Sequence, residues 1–473
     1  AGFMADGYAR ATGKPGVAYV ITGPGLCNIM TPMGQAYSDS VSVLVLSSCL
    51  NETASRRGQL HQMLDQEAAA RTVCDWSYQA NSAKAAYDLV ERALVEFKTQ
   101  RPRSKHIQVP IGLLEGQAIS PPRQSTALAE TLATTNMDMT SLALALSSAD
   151  KPLFVIGGGA AAAATALREV VSACGAACFE TYAGRGIIAW DYPLNFGATL
   201  ARPSSAQIME QADCIVAIGT ELAEVDLWRY HLGHDCPLYR IDIDPECLAD
   251  EHRAEVAIHA RAEVSMTSLQ QEITPSYSSW QVSAVAQQRR AWRVESEAER
   301  PGIIAIVDAL RESVPENTMI YSDMTQFSYV ANEVWPMTRP KHWHHPSGFG
   351  TLGYALPAAI GGAVARPGQP TMAIAGDYGF QYSVQEMGTA VELAQALPII
   401  LWDNGKLKEI EDSMRSAQIA PNAVIAKNPN FIGLAKAYGA YAVAPETFAA
   451  LQQAVIEAFA TDRPTLIYLT PNI

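Results

Sequence analysis

The chain has 473 residues, 48% hydrophobic and 17% charged, enough apolar matter for about three cored domains and too much for a disordered chain. Its 34 Lys and Arg against 48 Asp and Glu leave a net charge of −14, with no basic block, so nucleic acid and anionic membranes are poor partners for it. Eight cysteines with no zinc-type Cys-x-x-Cys spacing read as free thiols in a reducing, cytoplasmic setting.

The chain opens on an apolar helical stretch, Ala1-Gly2-Phe3-Met4-Ala5. An α/β domain normally opens with a strand, so the sequence is expected to begin inside a domain, with this helix packed on something that precedes it. Short apolar runs then alternate with helical patterns, at 17–21, 43–46, 107–109, 153–156, 214–218, 238–243, 319–321, 372–375, 398–402 and 466–469. Continuous apolar strands between Gly and Pro mean parallel sheets buried on both faces, so the expected class is α/β of the doubly wound type. The stretch 152–167 is uncharged, but Gly157-Gly158-Gly159 breaks it, so it reads as strand, loop and helix start and not as a membrane span. Residues 115–140, with Pro121-Pro122, and residues 273–301, from Thr274-Pro275 to Pro301, read as linkers. They divide the chain into domains at 1–118, 138–272 and 302–473.

The strongest chemical signal is in the third domain. The strand at 371–375 ends in Gly376-Asp377-Tyr378-Gly379-Phe380, and the strand at 397–402 ends in Asp403-Asn404-Gly405. One βαβ unit separates these polar ends, so adjacent parallel strands present Asp377 and Asn404 side by side at the carboxyl edge of the sheet, where such folds bind ligands. A carboxylate and an amide oxygen are hard ligands suited to Mg²⁺ or Ca²⁺ carrying phosphate oxygens. Gly-Asp and Asn-Gly are also turn formers, and the pair alone leaves that alternative open. A glycine-punctuated lead-in to a helix, Gly348-Phe349-Gly350-Thr351-Leu352-Gly353-Tyr354, lies upstream, and Thr22-Gly23-Pro24-Gly25-Leu26-Cys27-Asn28 follows a strand in the first domain.

Together these motifs resemble the thiamine diphosphate-dependent decarboxylase and acetohydroxyacid synthase superfamily over nearly the whole chain. Ser322-Asp323-Met324-Thr325-Gln326, the 345–354 segment and Gln59-Leu60-His61 are similar to 5-guanidino-2-oxopentanoate (2-ketoarginine) decarboxylase-like members. The resemblance implies pyrimidine-binding, central Rossmann-like and diphosphate-binding domains, the first lacking its opening part, and thiamine diphosphate as cofactor. It implies a metal held by Asp377, Asn404 and the main-chain carbonyl of Lys406. It places Thr325, Gln326, Tyr378 and Gly379 at the diphosphate, Leu352 as an apolar wedge, and the main chain at Gly350 and Leu352 against the aminopyrimidine. Pro24 and Asn28 would meet that ring from another subunit, making a homo-oligomer with sites between chains. The implied substrate is a 2-oxo acid, decarboxylated to an aldehyde.

Further candidates are weaker. His61 follows a leucine, as in family decarboxylases where a histidine moves protons, although it also reads as a loop residue. Gln66 resembles a synthase glutamine near substrate. His342, His344 and His345 lack the carboxylate or cysteine that would complete a zinc set, which leaves His345 as a residue lining the site. Glu409, Glu411 and Asp412 follow the metal loop and would suit a guanidinium, or would pair with Lys406 and Lys408. Gly157-Gly158-Gly159 lacks dinucleotide-loop spacing, so FAD is not expected. Three departures stand out: Tyr378 replaces the third motif glycine, Asp403 the usual asparagine, and the family glutamate would precede Ala1. A carboligase of the acetohydroxyacid synthase type and a catalytically silent structural paralogue remain as rivals.

Overall fold

A computed structural model describes residues 1–51, 58–120, 138–425 and 427–473. The described residues form three domains, each built on a sheet whose strands pair only in parallel. The first sheet holds β1 (Gly16–Val20), β2 (Val43–Cys49), β3 (Trp76–Gln79) and β4 (Lys105–Pro110), in the order β1-β2-β4-β3. The second holds β5 (Pro152–Ile156), β6 (Ala177–Glu180), β7 (Asn195–Gly197), β8 (Cys214–Ile218), β9 (Leu238–Asp242) and β10 (Val256–His259), ordered β10-β9-β8-β5-β6-β7. The third holds β11 (Met319–Ser322), β12 (Trp343–His344), β13 (Thr371–Gly376), β14 (Pro398–Trp402), β15 (Tyr441–Val443) and β16 (Thr465–Leu469), ordered β12-β11-β13-β14-β16-β15.

The two-residue period of a strand explains why helices cover both faces. In the third domain Met372, Ile374, Ile400 and Ile467 join one core with Phe327 and Trp335, while Ala373, Ala375, Ile399 and Leu466 join another with Leu356 and Phe380. The central sheet divides likewise: Phe154, Ile156 and Val216 face one core, and Leu153, Val155 and Ile215 face the other. The eight cysteines are all free. Among the described residues no helix is long and apolar enough to cross a membrane.

One expectation is corrected. The charged stretch within 273–301 is not an irregular linker: Val282–Glu299 is a helix. It buries Val285 and Trp292 in the central core, and the Trp292 indole donates to Ser204 Oγ at 2.7 Å. A few apolar anchors on a charged helix are enough to dock it. Most of the other expected linker, 121–137, lies outside the described residues.

The opening helix, Gly2–Thr12, packs on the helix Ala355–Ala365 of the third domain, far along the chain. Glycines make that approach close: a Cβ on Gly7 would lie 2.0 Å from the carbonyl oxygen of Ala358, and one on Gly361 2.0 Å from that of Met4. Around the contact Tyr321 donates to the Gly7 carbonyl at 2.8 Å and Tyr354 to Asp6 Oδ1 at 2.8 Å.

Candidate active site

Four neighbouring strands of the third sheet deliver polar residues to one edge. Following the order β12-β11-β13-β14, their carboxyl ends lead to His345, to Ser322 through Gln326, to Asp377 and Tyr378, and to Asp403 through Lys406. Two helices begin here, Gln326–Val334 and Asp377–Ser383, so unpaired backbone N–H groups face the edge. Their starts are close together, since a Cβ on Gly376 would lie 2.9 Å from Thr325 Oγ1.

The register pairs Gly376 with Trp402, so the residue directly beside Asp377 is Asp403, with Asn404 one step beyond. Both carboxylates are buried, and among the described residues neither forms an ion pair. Burial pushes the Asp377 pKa up to about 6; the Asn428 amide opposes that rise and the charge of Asp403 adds to it. Asn428 Nδ2 donates to Asp377 Oδ2 at 2.7 Å and to Asp403 Oδ1 at 2.8 Å. Asp403 also accepts from the Gly405 N–H and from the Tyr468 hydroxyl, each at 2.9 Å. Asn404 Nδ2 donates to Gln326 Oε1 at 3.2 Å, and Gln326 Nε2 donates to Glu409 Oε1 at 2.8 Å.

This donor set fits a divalent cation. A carboxylate, an amide oxygen and the Lys406 carbonyl are hard oxygen ligands, and two buried carboxylates bridged by one neutral amide lack positive charge. Among the described residues no three His, Cys, Asp or Glu side chains gather as a metal site, so His342, His344 and His345 do not make one.

The glycine loop is tied to the same edge. Asp323 is buried and accepts the N–H groups of Met324 and Gly353, each at 2.9 Å. A Cβ on Gly379 would lie 2.8 Å from Asp323 Oδ2, so this carboxylate sets the spacing of two glycine turns. Burial lifts its pKa to about 6 against those N–H groups. Gly350 and Gly353 hold φ of +64° and +83°, and Leu352 between them is half-buried. His345 is buried with Nδ1 2.9 Å from Ser322 Oγ; burial, then the charges of Arg185 and Arg10, hold its pKa down to about 3, so the ring is neutral.

Glu409, Glu411 and Asp412 already have cationic partners. Arg300 grips Glu409 at 3.0 and 3.2 Å, Lys406 and Arg415 hold Glu411 at 3.1 and 2.7 Å, and Lys408 pairs with Asp412.

The remaining candidates lie on the first domain. Pro24 and Asn28 are exposed near the start of the helix Pro24–Ser38. The far end of that helix meets the glycine loop of the same chain: Thr351 donates to Gln35 Oε1 at 2.8 Å, and the Gly348 N–H donates to Asp39 Oδ1 at 2.8 Å. His61, at φ +63°, packs its carbonyl under Gly23 and lines a cavity of about 650 Å³ with Tyr19, Ile21, Leu50, Ile111 and Leu114. Gln66 is buried behind the Thr22-Gly23 turn. Its oxygen accepts from Thr22 Oγ1 and the Gly23 N–H at 2.8 and 2.9 Å, and its nitrogen donates to Ser47, the Ser48 carbonyl and Gln108.

Comparison with known proteins gives this arrangement a family. Residues 1–69, 139–269 and 323–469 match, in turn, the N-terminal TPP binding domain, the central domain and the C-terminal TPP binding domain of thiamine pyrophosphate enzymes. The chain is 37% identical over 485 residues to a "Probable 2-ketoarginine decarboxylase AruI" of Pseudomonas aeruginosa, covering 99% of this chain and 85% of that one. This chain belongs to the thiamine pyrophosphate enzyme family. The enzyme also resembles the acetolactate synthase isozyme 2 large subunit of Escherichia coli, 26% identical over 93% of this chain and 81% of that one. The acetolactate synthase large subunit of Haemophilus influenzae is 27% identical over 99% and 85%.

Within this thiamine pyrophosphate enzyme, three residues that build the site carry little signal of that role in the sequence. Asp323 stands inside the 322–326 motif, and Arg300 inside the charged stretch that reads as a linker. Asn428 has only the turn signal Asn428-Pro429, which marks a chain reversal over the loop after β14.

Proposed function

We propose that this enzyme decarboxylates a 2-oxo acid, 5-guanidino-2-oxopentanoate, to an aldehyde and carbon dioxide, with thiamine diphosphate and Mg²⁺ or Ca²⁺. The observation that carries the substrate is the 37% identity over 99% of the chain to a protein named as a probable 2-ketoarginine decarboxylase. When bound, the cofactor supplies the electron sink for the loss of carbon dioxide.

Asp377, Asn404 Oδ1 and the Lys406 carbonyl would hold the cation. Thr325, Gln326, Tyr378 and Gly379 would hold the diphosphate through N–H groups at the two helix starts. Leu352 and the main chain at Gly350 would shape the bound cofactor. Pro24 and Asn28, from a second copy, would close over its ring, with His61 delivering a proton to the product and Gln66 bracing the turn before Pro24. His345, neutral and bonded to Ser322, would line the pocket without carrying charge into it. A substrate guanidinium directed at Glu409 has to compete with Arg300, whose two-toothed grip already illustrates how a carboxylate at that place holds such a group. Domains at 1–118, 138–272 and 302–473 and a homo-oligomer with sites between chains are part of this reading.

The acetolactate synthase relatives favour a second reading, carboligation of two 2-oxo acids. The test is a panel of 2-oxo acids, including the guanidino compound and pyruvate, assayed for carbon dioxide, aldehyde and acetohydroxy acid. Aldehyde formed fastest from the guanidino compound supports the proposal. An acetohydroxy acid as the main product supports the second reading, and no turnover of any member supports a silent paralogue.

A further inference from the structure

The register that pairs Gly376 with Trp402 brings an ionisable neighbour, Asp403, nearer to Asp377 than the neutral Asn404. A divalent cation would ordinarily prefer a second carboxylate. Something must spend the oxygens of Asp403, and the hydrogen bonds identify it. One neutral NH₂ group, that of Asn428, donates to Asp377 Oδ2 at 2.7 Å and to Asp403 Oδ1 at 2.8 Å. The other oxygen of Asp403 accepts from Tyr468 at 2.9 Å. Asn428 Oδ1 accepts from Gln381 Nε2 at 3.2 Å, and the same Gln381 nitrogen donates to the main-chain carbonyl of Asp377 at 3.1 Å, so the Asn428 amide cannot flip without losing its set.

The backbone fixes where this amide arrives. Lys406 and Ile425 form an antiparallel bridge, and the Leu407 N–H donates to the Val424 carbonyl at 2.8 Å, so the returning chain is registered on the metal loop itself. Two residues past Asn428, Asn430 caps the helix Phe431–Ala437 by accepting from the Gly433 N–H at 2.9 Å. Asn428 is therefore held between two anchored points.

We infer that Asn428 is a positioning residue of the cation site: it fixes the Asp377 carboxylate for ligation and, with Tyr468, keeps Asp403 out of the coordination shell, leaving the second side-chain place to Asn404. The inference rests on the proposed cation site at Asp377. Groups that orient a ligand in this way change metal affinity by about 10–100-fold when removed.

The test measures Mn²⁺ binding to the full chain, by loss of the free-ion electron paramagnetic resonance signal, at saturating thiamine diphosphate. Asn428→Ala is expected to weaken Mn²⁺ about 10–100-fold. Asn430→Ala, which loosens the same segment but keeps the amide, is expected to stay within about threefold of the parent. Equal weakening by both variants reduces Asn428 to a structural role and overturns the inference, as does an Asn428→Ala affinity within about twofold of the parent. Asn428→Asp covers the case in which the alanine variant does not fold. It replaces the bridging NH₂ with a third carboxylate, so its melting temperature in EDTA is expected to fall and to recover with Mn²⁺ by more than the parent gains. An unchanged melting temperature in EDTA overturns the inference. A parent protein that binds neither Mn²⁺ nor thiamine diphosphate overturns the proposed function itself.

Discussion

Asp323 Oδ2 accepts the backbone N–H of Gly353 at 2.9 Å, tying the end of β11 to the glycine loop that leads into the helix Ala355–Ala365. The bond fixes the spacing of this glycine loop with a carboxylate that is itself uncomfortable, since burial raises its pKa from 3.8 to about 6.

The sign of the resulting pH dependence follows from that direction. Folded Asp323 holds its proton more tightly than the unfolded chain does. Its contribution is therefore fully present below pH about 4 and is lost as the pH rises through about 6, by at most about 3 kcal/mol. Asp323→Asn cannot ionise, so its melting-temperature deficit relative to the parent is expected to shrink between pH 4 and 7. Thermal melts at half-unit pH steps check this; a gap that stays constant with pH removes Asp323 as the titrating group.

A second prediction concerns the contact between the first and third domains. Gly7 lets the opening helix touch backbone, and the nearest atom to an added methyl would be a carbonyl oxygen that cannot rotate away. Gly7→Ala is expected to destabilise the protein by about 3 kcal/mol, the upper end for overpacking, despite the better helix propensity of alanine. Gly13→Ala is the comparison, because no atom lies within 4 Å of its added Cβ. That glycine has φ +68°, so its variant should lose only the modest cost of a strained helix end. Denaturant midpoints rank the two, and equal losses would refute the close-contact account.

What could be read in the sequence follows burial. All ten apolar runs overlap strands; nine lie inside their sheets, where cover on both faces favours a continuous apolar run, and the tenth, β1, is an edge whose burial alternates. Six strands carried no such signal: β3, β6, β7, β10, β12 and β15. Five of them are short sheet edges: in Val256–His259 and Tyr441–Val443 exposed and half-buried residues alternate, whereas β7 and β12 are buried but only three and two residues long. The sixth, Ala177–Glu180, is fully buried but only four residues long and ends in a carboxylate. At the site, Asp377 and Asn404 were legible because both follow apolar strands. Asn428 was not, because it returns to the loop after β14 along an irregular segment with no periodicity. The packing of the opening helix on a domain more than 300 residues away has no local signal, although two small residues at Gly7 and Gly361 make it possible.

The third prediction isolates Asp377. With alanine there, Asp403 remains, but Tyr468, Gly405 and Asn428 already claim its oxygens. The variant should fold, since the loss relieves a buried carboxylate pair, yet retain no thiamine diphosphate after gel filtration in Mg²⁺. Bound cofactor measured by fluorescence of its oxidised form checks the loss, and retention at the parent level contradicts the metal assignment.

The last prediction is the state of association. Within one chain, the helix Pro24–Ser38 meets the glycine loop through Gln35 and Asp39 at its carboxyl end. Asn28 lies seven residues back, about 10 Å along the axis at ~1.5 Å per residue, and among the described residues no hydrogen bond joins it or Pro24 to the third domain. Beside them stands an apolar surface: Val17 is 57% exposed, Tyr19 59%, Ile21 50% and Leu60 79%. A surface of that character, next to a candidate ring-binding turn, suits a second copy of the chain that supplies the other half of the site. A symmetric dimer or tetramer is expected, and thiamine diphosphate with Mg²⁺ should shift the equilibrium toward it by mass action, because the cofactor would touch two chains. Tyr19→Glu should weaken association and cofactor retention together while leaving the Asp377 edge intact. Light scattering with and without cofactor, on parent and variant, measures both. A cofactor-saturated, active monomer would show that Pro24 and Asn28 have no part in the site.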